Sequence, residues 1–120
     1  MNEKLPRILK LKSKKQIEEL FKNGASIKAY PLLLAYNCET LDVPFKVGFS
    51  VSKRFFKRAV HRNRIKRLIR ENFRKKKYIF TLTEKQFLLM FIYIGKELPT
   101  YQVIEKALLK VESKWQKMIE

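Results

Sequence analysis

The chain has 120 residues, of which 28 are Lys or Arg and 11 are Asp or Glu, giving a formal net charge of +17. Hydrophobic residues make up 46% of it, enough to build a compact core and too many for a disordered chain. The length suits one domain, 1–120, and the charge calls for a polyanionic partner, nucleic acid or an anionic surface, rather than a small neutral substrate.

Of those two partners the membrane has less support. The longest apolar run, Phe87 to Ile94, falls far short of the roughly 20 residues a spanning helix needs. The basic N-terminus lacks the continuous apolar segment and small-residue cleavage site of a secretory signal. A single cysteine, Cys38, rules out an internal disulfide and a thiolate-built metal site. A reducing, cytoplasmic location is the default expectation, with Cys38 a small residue near a strand end.

In chain order, Met1 to Lys12 shows no clear period, and its alternating basic and apolar residues suggest an extended arm lying on the domain. Ser13 and Gln16 have the spacing of a capping box. Ile17, Leu20 and Phe21 follow at helical intervals until Asn23-Gly24 ends a short first helix. Ile27 to Asn37 reads as one strand, and Pro31 within it implies an edge position or a bulge. Leu32, Leu34 and Tyr36 share one face of it, Leu33 and Ala35 the other. After a polar turn, Phe45 to Val51 alternates cleanly: Phe45, Val47, Phe49 and Val51 point one way, Lys46, Gly48 and Ser50 the other. The glycine and serine face is the one a ligand could approach.

Lys53 to Lys77 is the segment that sets this chain apart: KRFFKRAVHRNRIKRLIRENFRKKK, with Glu71 its single acid. At the helical period Ile65, Leu68, Ile69, Asn72 and Phe73 gather on one side, with Ala59 and Val60 at its margins. Asn63, Lys66, Arg67, Arg70 and Arg74 fall opposite. Arg62 borders the apolar side and Arg64 the far margin. Glu71 can pair with Arg67 or Lys75, which is worth a few tenths of a kcal/mol (~0.3) and cannot neutralise the stripe. Beyond it, Gln86 to Ile94 suits a buried central strand. Thr100 can cap a last helix with Val103, Ile104, Ala107, Leu108, Val111, Trp115 and Met118 facing the core, and with Glu105, Glu112 and several lysines on a solvated face. The order is α-β-β-α-β-α, an α+β fold: an α/β sandwich with three helices.

No catalytic constellation stands out. The acids are scattered, apart from Glu18-Glu19, which point apart on a helix. His61, the only histidine, has no acid or cysteine companion for base catalysis, and there is no phosphate-cradling glycine loop or metal-ligand cluster. The basic helix is different from an ordinary solvated face, which mixes both signs. Crowded like charges cost stability, so phosphate contact is the expected use of the stripe, with Asn63 able to hydrogen-bond among the arginines.

Val51-Ser52-Lys53, followed by Ala59 and by Arg62-Asn63-Arg64-Ile65-Lys66-Arg67-Leu68-Ile69-Arg70-Glu71, resembles the signature of the protein subunit of bacterial ribonuclease P. That family's R-N-R-x-K-R-x-x-R pattern is matched at every fixed position. Phe21 with Gly24 is similar to the end of the family's first helix, and Val47 to Lys53 to its second strand. The resemblance implies a sheet of three to four strands with an unusual left-handed β-α-β crossover through the basic helix, where pattern alone defaults to a right-handed one. It implies a ribonucleoprotein that removes the 5′ leader of precursor tRNA, with Mg²⁺ held mainly by a catalytic RNA subunit and no catalytic group on the protein. Arg62, Asn63, Arg64, Lys66, Arg67 and Arg70, with Arg58 just before them, would face that RNA; arginine forks grip phosphate oxygens in pairs. A leader-binding cleft between the first helix and the sheet would involve Phe21, whose ring can stack on a base, together with Ile17, where the family often has a second aromatic, and Lys53 at its edge. An ungapped count from Gly24 places the family's strand aromatic on Ala35, with Tyr36 adjacent as the alternative. The sequence leads to no expectation of membrane attachment, and no obligate protein partner is evident in it. A structural RNA-binding or ribosomal protein accounts for size and charge equally well, but not for the motif in its strand-helix setting. A self-sufficient nuclease would need protein-borne metal ligands that the sequence does not offer.

Overall fold

The computed structural model describes residues 9–81 and 83–119. Helix α1 spans Lys14–Asn23 and is followed by strands β1 (Ala25–Ala29), β2 (Leu32–Cys38) and β3 (Phe45–Val51). Helix α2 (Ala59–Lys76) leads through a 3-10 turn, Lys77–Thr81, into β4 (Phe87–Tyr93) and then α3 (Tyr101–Ile119). The strands form one sheet in the order β1-β2-β4-β3. β1 and β2 are antiparallel, as are β2 and β4, whereas β3 and β4 are parallel. A parallel pair needs a long crossover, and α2 supplies it.

The expected single strand over Ile27–Asn37 is instead a hairpin. The ladder runs from Ala25↔Tyr36 to Ala29↔Leu32, and Tyr30 and Pro31 make the turn between them. Pro31 has no amide to donate, and at a hairpin tip none is needed. Its carbonyl accepts from Ile94 N at 2.8 Å. Among the described residues the extra strand, β1, and the 3-10 turn are what the expected element order lacks, and the sheet has four strands.

The two faces of the sheet are packed differently. On one, Leu32 and Leu34, Phe45, Val47 and Val51, and Phe87, Leu89, Phe91 and Tyr93 meet Ile65, Ile69 and Phe73 of α2 and Ile104, Ala107, Leu108, Val111 and Trp115 of α3. Its centre is aromatic: Trp115 lies 4.8 Å from Phe87 and 5.0 Å from Phe80, centroid to centroid, and Phe73 lies 5.4 Å from both Phe45 and Phe91. Such pairs add about 0.5–1.5 kcal/mol each beyond the area they bury. Ile79 and Phe80, in the 3-10 turn, join this core, which no periodic pattern in so short a segment announces. The other face carries a smaller cluster, Leu11, Leu20, Ala35, Leu88 and Met90, flanked by Ile17, Leu41 and Ile92. β4 is covered on both sides, which is why it reads as an unbroken apolar run.

The helix ends follow their capping residues in part. Ser13 Oγ accepts from Gln16 N at 3.2 Å, but the Gln16 side chain donates to Glu39 Oε1 instead of reaching back, so only half of the expected capping box forms. Gly24 ends α1 in extended backbone. Its value is close approach: a Cβ there would stand 2.9 Å from Tyr36 O. Thr100 caps α3 as expected, accepting from Val103 N at 3.3 Å. The margins of the expected apolar stripes are exposed, Ala59 and Val60 on α2 and Val103 and Met118 on α3. Glu112, expected on the solvated face of α3, is buried instead. The expected N-terminal arm lies partly outside the described residues. From Lys10 it runs beside β3 in a parallel bridge to Val47, with Leu11 N donating to Val47 O at 2.9 Å.

Candidate nucleic-acid interface

α2 turns its periodicity into a division of labour. Ile65, Ile69, Asn72 and Phe73 are buried, and Asn72 satisfies itself by donating to Leu68 O at 3.0 Å. The opposite side is cationic, with Asn63, Arg64 and Arg67 exposed and Lys66 and Arg70 half-buried. A shallow concavity of about 770 Å³ runs along this side, lined by His61, Asn63, Arg64, Lys66, Arg67 and Arg70 among others. On this side Arg67 Nε lies 3.8 Å from Glu71 Oε1 in an ion pair. It is largely exposed, so it offsets little of the stripe's charge. The first turn of α2 has no acid, while Arg74, Lys75 and Lys76 crowd its last turn. Only that C-terminal group suits the helix dipole.

Lys66 and Arg70 do more than point outward. With Lys10 and Lys12 of the N-terminal arm and with Gly48 and Phe49 of β3 they line a notch of about 270 Å³. The Arg70 guanidinium lies 5.7 Å from the centre of the Phe49 ring. Four cations around one small notch suit a phosphate group. Lys10 and Lys12 were not among the residues singled out from the sequence. Their alternation in an extended arm, which puts both on the same side, is the signal that marks them.

The cleft beside α1 follows from strand register. Ala35, Met90 and Gly48 lie in one row across β2, β4 and β3, and Leu33, Ile92 and Ser50 in the next. Ile17 and Leu20 of α1 pack over Ala35, Leu88 and Met90, while Leu33, Ile92 and Ser50 stay half-exposed. Phe21 does not join the packing and is 53% exposed. Lys53 is exposed in the turn that follows β3. Tyr36 is elsewhere. It faces the opposite side of the sheet, with its ring 5.3 Å from Trp115 and 6.5 Å from Phe87. Placing Tyr36 in the cleft is therefore corrected: strand alternation puts Ala35 on the α1 side and Tyr36 against α3.

One further candidate differs from its expected setting. Arg62 Nη1 donates to Phe56 O at 2.7 Å and to Lys57 O at 2.9 Å, so this motif arginine is turned back on the loop before α2. Phe55, unremarked in the sequence, is exposed, with Arg54 5.7 Å and Lys96 5.5 Å from its ring centre. Among the described residues no group of three or more His, Cys, Asp and Glu side chains could hold a metal ion. No helix among the described residues is long and apolar enough to cross a membrane.

Comparison with known proteins identifies the relatives of this chain. A family model described as Ribonuclease P matches residues 5–116. The ribonuclease P protein component of Porphyromonas gingivalis is 35% identical over 104 residues, covering 79% of this chain and 74% of that protein. The one from Chlorobaculum tepidum is 36% identical over 102 residues, covering 74% and 66%. Among solved structures, the RNase P protein of Staphylococcus aureus has a TM-score of 0.67 at 28% identity, covering 86% of this chain and 91% of that one. The RNase P protein of Thermotoga maritima reaches 0.72 over 88% and 96%, and at 24% identity it speaks for the fold alone. With the basic motif on the crossover helix and a family match across nearly the whole length, the chain belongs to the ribonuclease P protein family.

Proposed function

We propose that this chain is the protein subunit of a ribonuclease P ribonucleoprotein, an endonuclease that removes the 5′ leader from precursor tRNA in the cytoplasm. The observation that carries this is the near-uniform cationic side of α2, held rigid by a buried apolar side, on the fold of a family named for that enzyme. In this reading Arg64, Lys66, Arg67 and Arg70, with Asn63 and Arg58, meet phosphates of a catalytic RNA subunit. The notch formed with Lys10 and Lys12 takes one more phosphate. The open sheet face beside Ile17 and Phe21, with Lys53 at its edge, takes the single-stranded leader, one base stacking on Phe21. The groups that cleave, and the Mg²⁺ that supports them, belong to the RNA. The protein contributes charge neutralisation where three polyanionic segments converge.

The test is reconstitution. Purified protein alone is expected to leave precursor tRNA intact, and protein with its cognate RNA subunit to release the leader at low Mg²⁺ concentration. Cleavage by the protein alone would overturn the assignment of catalysis to RNA. Binding to structured RNA with no gain in cleavage would favour a purely structural RNA-binding role.

A further inference from the structure

We infer that Arg62 is a positioning residue, which locks the loop between β3 and α2 and thereby fixes the cations that loop carries. The loop, Ser52 to Arg58, presents Lys53, Arg54, Lys57 and Arg58, all exposed. Its own bonds are few: Arg54 N donates to Ser52 Oγ at 3.1 Å and Phe56 N to Ser52 O at 3.2 Å. Phe56 anchors its middle by burial, its ring 5.9 Å from Tyr93. Between Phe56 and the start of α2 the loop has no apolar anchor, and the next residues are two like charges.

Arg62 supplies the missing anchor. A cation in the first turn of a helix is opposed by the helix dipole, and α2 has no acid there to offset it. The Phe56 and Lys57 carbonyls offset it instead, since both accept from the one nitrogen, Nη1. Hydrogen bonds to a charged donor contribute more than neutral ones. Nη1 has two hydrogens, and both are committed to these carbonyls, which leaves this nitrogen none to offer to a phosphate. Arg64, two residues on, is exposed and makes no such bond to the loop. Two arginines of one motif therefore do different work.

The part of this inference that concerns RNA rests on the proposed function; the part that concerns the loop does not. The experiment uses the full chain with Arg62→Met and, as the matched loss of one charge, Arg64→Met, because Met and Arg have similar helix propensity. In the RNA-free protein, amide hydrogen exchange at Arg54 and Phe56 is expected to rise about tenfold or more in R62M and to stay unchanged in R64M. With the cognate RNA subunit as probe, Lys57→Ala is expected to weaken binding of wild type and of R64M by the same factor, and to have about threefold less effect in R62M, where the loop is already free. Exchange that stays slow in R62M, or losses that simply multiply in R62M with K57A, overturns the inference. If R62M unfolds, Arg62→Lys, with its shorter reach, is read by the same exchange measurement. If the RNA subunit binds none of these proteins, the proposed function fails and the exchange measurement still decides the role of Arg62.

Discussion

The strands of the sheet alternate in the same way on both sides, yet one side is sealed and the other stays partly open. Toward α2 and α3, Leu89 and Phe91 are buried in a core rich in aromatic rings. Toward α1, Ala35, Leu88 and Met90 are covered, but Leu33, Ile92 and Ser50 are not. The helices explain this better than the strands do. α2 and α3 have 18 and 19 residues and α1 has 10. At about 1.5 Å per residue, α1 cannot span a sheet whose strands of 7 residues are each roughly 23 Å long. A sheet face becomes core when enough helix covers it, and the uncovered remainder is a surface available to a ligand.

The sharpest way to break that contrast is from the sealed side. Trp115→Ala is expected to destabilise the protein by about 3–5 kcal/mol, the usual cost of deleting a buried aromatic, as read by urea unfolding. A loss under about 1 kcal/mol would mean that the aromatic centre is not what holds α3 to the sheet. On the open side the same kind of deletion should act on binding. Phe21→Ala is expected to weaken binding of leader-bearing precursor tRNA by about 1–3 kcal/mol, the range for a base stacked on a ring. Mature tRNA should bind nearly as before. An equal loss for both would remove Phe21 from the leader site.

The outer side of α2 supplies a third comparison, charge without core. The double variant Arg64→Ala, Arg67→Ala should leave the unfolding free energy within about 0.5 kcal/mol, as surface changes do. Ribonucleoprotein activity should fall about tenfold or more at low Mg²⁺ and recover part of the loss as Mg²⁺ rises, because free cations can replace some of the lost neutralisation. The same loss at every Mg²⁺ concentration would argue for a geometric role in place of an electrostatic one.

The smallest effect is expected inside the sealed side, at Glu112. Burial pushes its carboxyl up to about 7, against the pull of Lys76, from an ordinary 4.5. Its Oε1 has no hydrogen-bond partner among the described residues. With the folded-state value raised, stability from this group is fully present below about pH 4.5 and is lost as pH rises through about 7. Glu112→Gln should therefore unfold like wild type at pH 4 and be the more stable of the two at pH 8, as read by urea unfolding at both pH values. Parallel pH profiles for the two proteins would show that the charged carboxylate is well accommodated.

What could be decided locally was legible from the residues. The period of α2 placed Ile65, Ile69 and Phe73 inward and Arg64 and Arg67 outward; Ser13 and Thr100 marked helix starts; β4 was evident as a run that only a doubly covered strand permits. Each of these depends on neighbours a few positions away. The hairpin at Tyr30-Pro31, the choice of Ala35 over Tyr36 for the cleft face, the burial of Glu112 and Ile79, and the Arg62 clamp were not legible in this way. They depend on which distant segment each residue meets: β2 on β4, α3 on the sheet, and the loop on the first turn of α2. Strand alternation states that Ala35 and Tyr36 face opposite ways, but only the packing of α1 on one side and Trp115 on the other says which is which. A charged residue in a helix is assigned to solvent by default, and only the tertiary contacts show that Glu112 was drawn inward and that Arg62 was turned back onto carbonyls. Composition and local pattern determined that a basic helix would have one buried and one cationic side. Long-range packing determined which of its cations stay exposed, as Arg64 and Arg67 do, and which, like Arg62, are turned onto carbonyls.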